Sequence, residues 1–273
     1  YQAGRTPNPC VVCNHTMKFG FLLDAARENG LSFDYFATGH YARIEERNGA
    51  FQLKKASDQS KDQTYFLYRL TSDRLSKILF PLGEMTKQEV RDIARSLGLP
   101  SAERTESQDF VAGGDYAPLF GDMPIKPGNI VDEGGRVLGR HRGIVYYTIG
   151  QRRGLGISSE KPLYVLKIDA GRNEVVVTDN ERLFASGLRA TDAVLNGLTP
   201  AERSEAAEMG LQVQAKIRQN QREFSAVLTP GPDQTFTLVF EKPERSVTPG
   251  QSVVIYQGEY VLGGGIIESA LRD

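Results

Sequence analysis

The stretch QSVVIYQGEYVLGGGII, residues 251–267, contains two apolar, β-branched runs with a glycine-containing turn between them. Valine and isoleucine favour strands, so this arrangement predicts two neighbouring strands. Three similar segments precede it along the chain: LQVQAKIR at 211–218, FSAVLTP at 224–230 and TFTLVFE at 235–241. Several short strands that are joined by Gly or Pro turns predict a small closed β-barrel in this part of the sequence.

Helical and strand-like segments alternate over residues 1–100. Residues 17–28 carry apolar side chains at helical spacing, and FDYFATGH, residues 33–40, predicts a buried strand that ends at a small-residue turn. Further helices are predicted over residues 64–79 and 87–97, and a capping box opens the second of them. This alternation is typical of an α/β domain.

The middle of the chain is punctuated by glycines and lacks a helical period, and PLYVLKIDAGRNEVVVTD, residues 162–179, predicts a hairpin. A chain of 273 residues is long for one domain. We therefore predict three units, namely an α/β domain over residues 1–120, a small central domain over 121–190 and the β-barrel over 191–273.

Charge and composition exclude some classes of protein. The formal net charge is −1, which argues against a strong overall nucleic-acid field but leaves room for a local basic face. The most basic local cluster comprises four arginines that could bind phosphates: Arg140, Arg142, Arg152 and Arg153. No apolar run approaches membrane-spanning length, so we expect no membrane partner.

Both cysteines of the chain lie in the segment GRTPNPCVVCN, residues 4–14. Two closely spaced cysteines are not a disulfide framework, which favours a reducing cytoplasm. A zinc site would need four ligands, and the three histidines of the chain are scattered. A reactive thiol or redox pair is the alternative, because Cys13 lies just before the helix predicted at 17–28, whose N-terminal end would favour a thiolate.

Six segments occur in this order along the chain: GRTPNPCVVCN, ATGHYAR, KDQTYFLYRL, GRHRGIVYYTIGQRRGLGI, KIR and VTPGQSVVIYQGEYVLGGGII. Together they resemble the bacterial tRNA-specific 2-thiouridylases over essentially the whole chain. The resemblance implies an α/β fold in which residues 1–120 form the C-terminal part of an ATP-pyrophosphatase (PP-loop) domain, followed by the small central domain and the C-terminal β-barrel.

The resemblance also implies an activity and its partners. ATP, expected to act with Mg²⁺, would adenylate the C2 oxygen of the wobble uridine of certain tRNAs, and sulfur would then replace that oxygen. The macromolecular partners would be a tRNA with a wobble uridine and a sulfur-donor protein or sulfur relay.

Residue roles follow from the same resemblance. Cys13 would be the nucleophile, and Gly39, at a strand end, would let the backbone approach the nucleotide. Contacts with the tRNA are implied for Asn8, Pro9, Cys10, His40, Lys61, Asp62, Gln63, Arg218, Gln219 and Gln251. Asp62 could instead cap the helix predicted after it, and Gln219 stands where the family favours an aromatic residue.

Two departures from the family pattern bear on the activity. The Ser-Gly-Gly-x-Asp-Ser loop that would cradle the ATP phosphates is absent from these 273 residues, so we expect an upstream portion and poor ATP binding by this chain alone. Val111 stands where relatives usually carry a second catalytic cysteine, and valine cannot carry sulfur. Cys10 would then be the persulfide carrier or the redox partner of Cys13.

Two other functions remain open at this point. A non-catalytic tRNA-binding protein is favoured by both departures and opposed by the retention of residues 8–14. An iron–sulfur-dependent tRNA thiolation enzyme would hold its cluster partly through Cys10 and Cys13 and would need a further ligand that is not cysteine.

Overall fold

The computed structural model describes residues 1–47, 49–103, 120–121 and 125–272. The described strands form three sheets, namely a parallel pair, a four-stranded sheet and an eight-stranded sheet that contains a closed barrel. Val111, to which sequence analysis drew attention, lies outside the described residues. None of the described helices combines the length and the apolar character that crossing a lipid bilayer requires.

Residues 9–28 form one helical segment in three consecutive parts. These parts are α1 at Pro9–Val12, a π-helical part at Cys13–Phe21 and α2 at Leu22–Glu28. Asn8 caps the start, because its Oδ1 accepts a hydrogen bond from the backbone N–H of Val11 at 3.4 Å, and Pro9 fills the first helical position. The predicted start at residue 17 is therefore wrong, since the Asn-Pro pair already begins the helix.

The parallel sheet of the first unit is small. Strand β1, Phe36–Ala37, pairs in parallel with β4, Ile78–Leu79, so the strand predicted over 33–40 is present but shorter. Between them in sequence lies an antiparallel hairpin of β2, Arg43–Arg47, and β3, Ala50–Lys54.

The single helix predicted over residues 64–79 is wrong. The segment instead holds a 3₁₀ turn at Thr64–Phe66, the short helix α3 at Ser72–Leu75 and then β4. The reason is that its buried side chains surround the segment rather than lying along one helical face: Tyr65, Leu67, Tyr68 and Leu70. In contrast, the last predicted helix of this unit is confirmed as α4, Lys87–Ser96, with its capping box at Thr86 and Glu89, and a 3₁₀ turn at Pro100–Glu103 follows it.

The central unit is a four-stranded sheet. Its strands are β5 at Gly128–Val131, β6 at Val137–His141, β7 at Tyr164–Asp169 and β8 at Glu174–Thr178, in the order β6-β5-β8-β7. The antiparallel pairing of β7 with β8 confirms the predicted hairpin. A 3₁₀ turn at Ile144–Tyr146 lies in the connection between β6 and β7, and Tyr147 beside it packs into the core of this unit.

The barrel consists of six strands and closes on itself. The strands are β9 at Phe184–Val194, β10 at Leu211–Lys216, β11 at Phe224–Pro230, β12 at Phe236–Arg245, β13 at Ser252–Gln257 and β14 at Tyr260–Leu271. Their order is β13-β10-β11-β12-β9-β14, and pairing of β13 with β14 closes the ring. A 3₁₀ turn at Glu181–Leu183 precedes β9, and helix α5, Pro200–Met209, connects β9 to β10. The predicted barrel is confirmed, and β9 is a strand that the sequence patterns did not predict.

The first unit and the barrel share a core. Strand β3 joins the barrel sheet where Lys54 pairs with Tyr260 of β14, and the hydroxyl of Tyr65 donates to the carbonyl of Ser252 at 2.7 Å. Tyr65 and Tyr256 are fully buried in one hydrophobic cluster that draws side chains from both units. This shared core holds the start of the first helix against the barrel.

Candidate functional site

The segment that leads into the first helix lies between the barrel and the central unit. The backbone N–H of Thr6 donates to the carbonyl of Pro249 at 2.9 Å, and its hydroxyl lies 2.7 Å from that of Thr148. Arg5 donates to the carbonyl of Ile267 at 3.1 Å. A Cβ at Gly250, whose φ is +93°, would come within 2.9 Å of the Thr6 nitrogen, so this close approach requires glycine. Residues of all three units therefore meet at the segment.

A cavity of about 470 Å³ opens at this meeting point, and we call it the first cavity. The first unit contributes residues of the segment and of the helix start, the central unit contributes residues between β6 and β7, and the barrel contributes Gln251. Its walls are Tyr1, Thr6, Pro7, Asn8, Pro9, Cys10, Arg142, Val145, Tyr146, Tyr147, Thr148, Gln151 and Gln251. The first cavity thus brings together Asn8, Pro9, Cys10 and Gln251, four of the residues that sequence analysis selected.

The two cysteines occupy different surroundings within the helix. Cys10 is half-buried and lines the first cavity, whereas Cys13 is exposed and begins the π-helical part. They are not joined in a disulfide. Side chains three apart on a helix have Cβ atoms about 5–6 Å apart, which is wider than the about 4 Å of a disulfide, so closing one would require the helical turn to shift. The structure also corrects the premise that Cys13 precedes the helix, because Cys10 is the cysteine nearer the N-terminal end.

His40 is buried rather than solvated. Its ring packs against Phe19 and Phe80, its Nδ1 lies 2.9 Å from the Thr38 hydroxyl and its Nε2 lies 3.4 Å from Lys18 Nζ. Burial, aided by the charge of Lys18, lowers the pKa of His40 from 6.5 to about 4. The imidazole is therefore neutral near pH 7, and its Nε2 accepts from the ammonium group. This placement supports a positioning role for His40 and argues against the expected direct contact with tRNA.

Asp62 and Gln63 stabilise the turn in which they lie. The Asp62 carboxylate accepts from the backbone N–H of Ala56 at 2.8 Å and from both the N–H and the hydroxyl of Thr64 at 3.2 and 2.5 Å. Burial raises the pKa of Asp62, and these hydrogen bonds oppose the rise. Gln63 Oε1 accepts from the backbone N–H of Tyr41 at 2.9 Å. The capping alternative for Asp62 thus has direct support, while the neighbouring Lys61 is half-buried.

Of the three barrel residues predicted to contact tRNA, Arg218 and Gln219 make side-chain hydrogen bonds within the protein. Arg218 donates to the carbonyl of Ser246 at 2.9 Å and to the Thr248 hydroxyl at 3.3 Å, and burial lowers its pKa. Gln219 donates from its amide to the carbonyl of Asp62 at 2.5 Å, which links the barrel to the Asp62 turn. These contacts hold the strand ends around the site, whereas Gln251 lines the first cavity.

The arginine cluster divides between the first cavity and the open surface. Arg142 lies over the ring of Tyr146, with its guanidinium carbon 4.2 Å from the ring centroid, and both side chains line the first cavity. All four arginines are exposed, and Arg140, Arg152 and Arg153 are not among the residues that line the first cavity. Within the described part of the chain, none of the four makes an ion pair.

Three residues of the first cavity were not among the predicted site residues, although they lie in the family-like segment GRHRGIVYYTIGQRRGLGI: Tyr146, Thr148 and Gln151. All three line the first cavity beside Cys10. Gln151 Oε1 accepts from the backbone N–H of Thr148 at 3.0 Å, which fixes the turn that carries these side chains. The two tyrosines of YYTIGQ, residues 146–151, followed closely by a threonine and a glutamine, are the signal that could have selected them.

The described residues do not by themselves fit the phosphates of ATP. The glycine-rich loop is absent from the sequence, and an added Cβ at Gly39 would lie 3.6 Å from Leu82 Cδ1, an ordinary contact. No described neighbour therefore requires a glycine at position 39. Among the described residues, no group of three or more His, Cys, Asp or Glu side chains is placed to hold a metal ion.

Three family models match consecutive parts of the chain. They are the tRNA methyl transferase HUP domain over residues 1–112, the tRNA methyl transferase PRC-barrel domain over 119–179 and the aminomethyltransferase beta-barrel domain over 188–267. Their order confirms the predicted fold class of an α/β domain, a small central domain and a β-barrel.

Curated relatives match the chain from end to end. The tRNA-specific 2-thiouridylase MnmA 1 of Syntrophus aciditrophicus is 52% identical over 276 residues, which cover 100% of this chain and 71% of the relative. The tRNA-specific 2-thiouridylases MnmA of Endomicrobium trichonymphae and Lachnoclostridium phytofermentans are each 47% identical, and the alignments cover 98% of this chain and 73% and 74% of those relatives.

Proposed function

The chain belongs to the tRNA-specific 2-thiouridylase family, and from this premise we propose that it takes part in 2-thiouridine synthesis at the anticodon wobble uridine of tRNA. The proposed reaction activates the C2 oxygen of the uridine with ATP and replaces that oxygen with sulfur that is delivered through a cysteine. The described residues offer support for base binding and sulfur delivery rather than for nucleotide binding.

The observation that carries the proposal is the first cavity with a cysteine in its wall. Cys10 lies beside Asn8 and Pro9 on one side, and Tyr146 and Arg142 lie in the wall contributed by the central unit. An unstacked base can be held by an aromatic face, by an arginine and by amide groups, all of which the cavity offers. Binding the target uridine there would bring its C2 atom towards the Cys10 sulfur.

The sulfur step balances with the two cysteines of the helix and an external thiol reductant. A persulfide on Cys10 is attacked at its inner sulfur by the Cys13 thiolate, the Cys10–Cys13 disulfide forms and hydrosulfide leaves. Hydrosulfide is then the nucleophile that would replace the C2 oxygen of the uridine once that oxygen has been activated. A dithiol reductant returns both cysteines to thiols. Because the helical spacing is wide for a disulfide, this cycle requires the turn between Cys10 and Cys13 to move.

The proposal extends to the partners and the compartment. A sulfur-donor protein or relay would load Cys10, which is half-buried in the wall of the first cavity, and the tRNA has access to the exposed arginines of the central unit. A cycle that must return both cysteines to free thiols suits a reducing cytoplasm, where we place the reaction.

The test joins this chain to the glycine-rich phosphate-loop segment of a relative and measures 2-thiouridine by mass spectrometry after incubation with ATP, tRNA and a sulfur source. In the proposed cycle, Cys10→Ser abolishes the product when a protein persulfide is the donor but not when free sulfide is supplied. Cys13→Ser has the same donor dependence, because sulfide bypasses the release step. If Cys10→Ser retains full activity with the persulfide donor, the relay through Cys10 is wrong.

The same experiment separates the remaining functions. A non-catalytic tRNA-binding protein binds tRNA but forms no 2-thiouridine with any donor. An iron–sulfur-dependent enzyme is brown after anaerobic purification, absorbs visible light and loses activity in both cysteine variants even with free sulfide. Loss of product with free sulfide in Cys13→Ser but not in Cys10→Ser would instead support the nucleophilic Cys13 that the family resemblance implies.

A further inference from the structure

The 3₁₀ turn at Thr64–Phe66 packs against the helical segment that carries both cysteines. Tyr65 of this turn and Val11 of α1 are buried in the same hydrophobic cluster. Further along the helical segment, the side-chain amide of Asn14 donates to the carbonyl of Phe66 at 3.4 Å. The turn therefore contacts the helical segment on both sides of the second cysteine.

A chain of hydrogen bonds runs from the barrel through Tyr65 to the start of the helix. The Tyr65 hydroxyl donates to the carbonyl of Ser252 at 2.7 Å. Burial raises the pKa of Tyr65, and a hydrogen bond with the side chain of Asn8 opposes that rise. The Oδ1 atom of the same Asn8 accepts from the backbone N–H of Val11 at 3.4 Å. Asn8 thus joins the tyrosine hydroxyl to the first turn of α1.

The members of this chain lie where water does not readily replace a lost partner. Tyr65 and Ser252 are 1% and 2% exposed, and Asn8 is half-buried. Without the Tyr65 hydroxyl, the Ser252 carbonyl would lose this donor and the Asn8 side chain would lose this partner. Hydrogen bonds that follow one another in a buried chain also strengthen each other. The hydroxyl of Tyr65 is therefore the link between the barrel and the helix start.

Cys10 lies between the two helical residues that this chain fixes. Asn8 caps the helix, the N–H of Val11 donates to the cap, and the half-buried Cys10 stands between them in the wall of the first cavity. Part of a fold can open locally without global unfolding, at a free energy set by the contacts that hold that part. The bonds to Asn8 therefore determine how easily the turn around Cys10 opens.

We propose that Tyr65 is a positioning residue for Cys10, because its hydroxyl acts through Asn8 to hold the start of the helix against the barrel and so limits how readily the Cys10 thiol reacts. The inference deepens the proposed function and rests on it in one respect, since it takes Cys10 as the sulfur carrier. In that role, loading of Cys10 by a donor depends on opening of this turn.

The test measures how fast Cys10 reacts with a neutral dipyridyl disulfide, followed by absorbance, in the chain that carries Cys13→Ser. Tyr65→Phe removes only the hydroxyl, so we expect Cys10 to react about fivefold faster, equivalent to about 1 kcal/mol. Asn8→Ser keeps an oxygen that can cap the helix but lacks the amide, so we expect a similar increase. The two changes together should accelerate the reaction no more than either alone, because both interrupt the same chain.

Tyr256→Phe is the matched control. Tyr256 is buried in the same hydrophobic cluster, and its hydroxyl has no hydrogen-bond partner in the part of the chain that the structure describes. This variant should leave the reaction rate of Cys10 unchanged. A second control uses the chain with Cys10→Ser, in which the exposed Cys13 should react equally fast with and without Tyr65→Phe.

The dependence on urea separates local opening from a general loss of stability. Below the unfolding transition, the reaction rate of Cys10 should stay constant in Tyr65→Phe, because opening of one turn exposes little surface. The inference is overturned if Tyr65→Phe leaves the Cys10 rate unchanged, if Tyr256→Phe raises it equally, or if the increase grows with urea as global unfolding does. No RNA, ATP or sulfur donor takes part, so failure of the proposed function would appear separately, as absence of 2-thiouridine.

Discussion

The buried, neutral His40 makes the stability of the protein depend on pH in a defined window. Its folded-state pKa is about 4, against 6.5 for an unperturbed histidine. Between these values the unfolded chain takes up a proton at this residue and the folded chain does not. The contribution of His40 to stability is therefore complete above pH 6.5 and is lost as the pH falls towards 4.

The magnitude follows from the size of the shift. Between pH 6.5 and about 4, each pH unit of acidification lowers the unfolding free energy by about 1.4 kcal/mol. The interval from pH 7 to pH 6.5 lies outside this window and adds little. Lowering the pH from about 7 to about 5 should therefore remove about 2 kcal/mol of unfolding free energy through His40. His40→Gln lacks a titrating group but keeps an oxygen that can accept from Lys18, so the difference between wild type and variant isolates this contribution.

Urea-induced unfolding, followed by circular dichroism at the two pH values, measures the effect. The wild type should lose about 2 kcal/mol more than His40→Gln on acidification. Lys18→Met should show an intermediate loss, because burial rather than the lysine charge is the larger cause of the lowered pKa. Equal pH dependence in wild type and His40→Gln, together with weaker tRNA binding by the variant at pH 7, would refute the argument and make His40 a direct tRNA contact.

Three further predictions concern the Asp62 turn, the first cavity and the nucleotide. Asp62→Ala should lower the unfolding free energy by about 2–4 kcal/mol in urea titrations, because the buried N–H groups of Ala56 and Thr64 lose their acceptor; an unchanged midpoint would contradict this. Arg142→Ala should weaken binding of all tested tRNAs and reduce the salt slope by about one, measured by filter binding, whereas Arg136→Ala, which lies outside the walls of the first cavity, should change neither. Calorimetry should detect no ATP binding to this chain and should detect it once a glycine-rich phosphate loop is joined to it; tight binding by the chain alone would count against the incomplete site.

Parts of the fold could be predicted because their signals are local. The Thr86–Glu89 capping box needs hydrogen bonds across only three residues, and helix α4 begins where it predicts. The β7–β8 hairpin and strands β10 to β14 follow from apolar runs that end at turn residues. The start of α1 is equally local, since Asn8 and Pro9 form its cap, although apolar spacing alone predicts a start at residue 17.

The sequence by itself also determined which residue types are available for the chemistry: two cysteines in one short segment, four clustered arginines and no glycine-rich phosphate loop. Only the tertiary structure decided where those residues act. Thr6 meets Thr148 across 142 positions and Gln219 meets Asp62 across 157, and no local pattern encodes such contacts. The same long-range packing lines the first cavity with Cys10 but not with Cys13, and it buries His40 and Asp62. Burial changes the role of a polar side chain, because once water is excluded each group must find its hydrogen-bond partner within the protein or in a ligand.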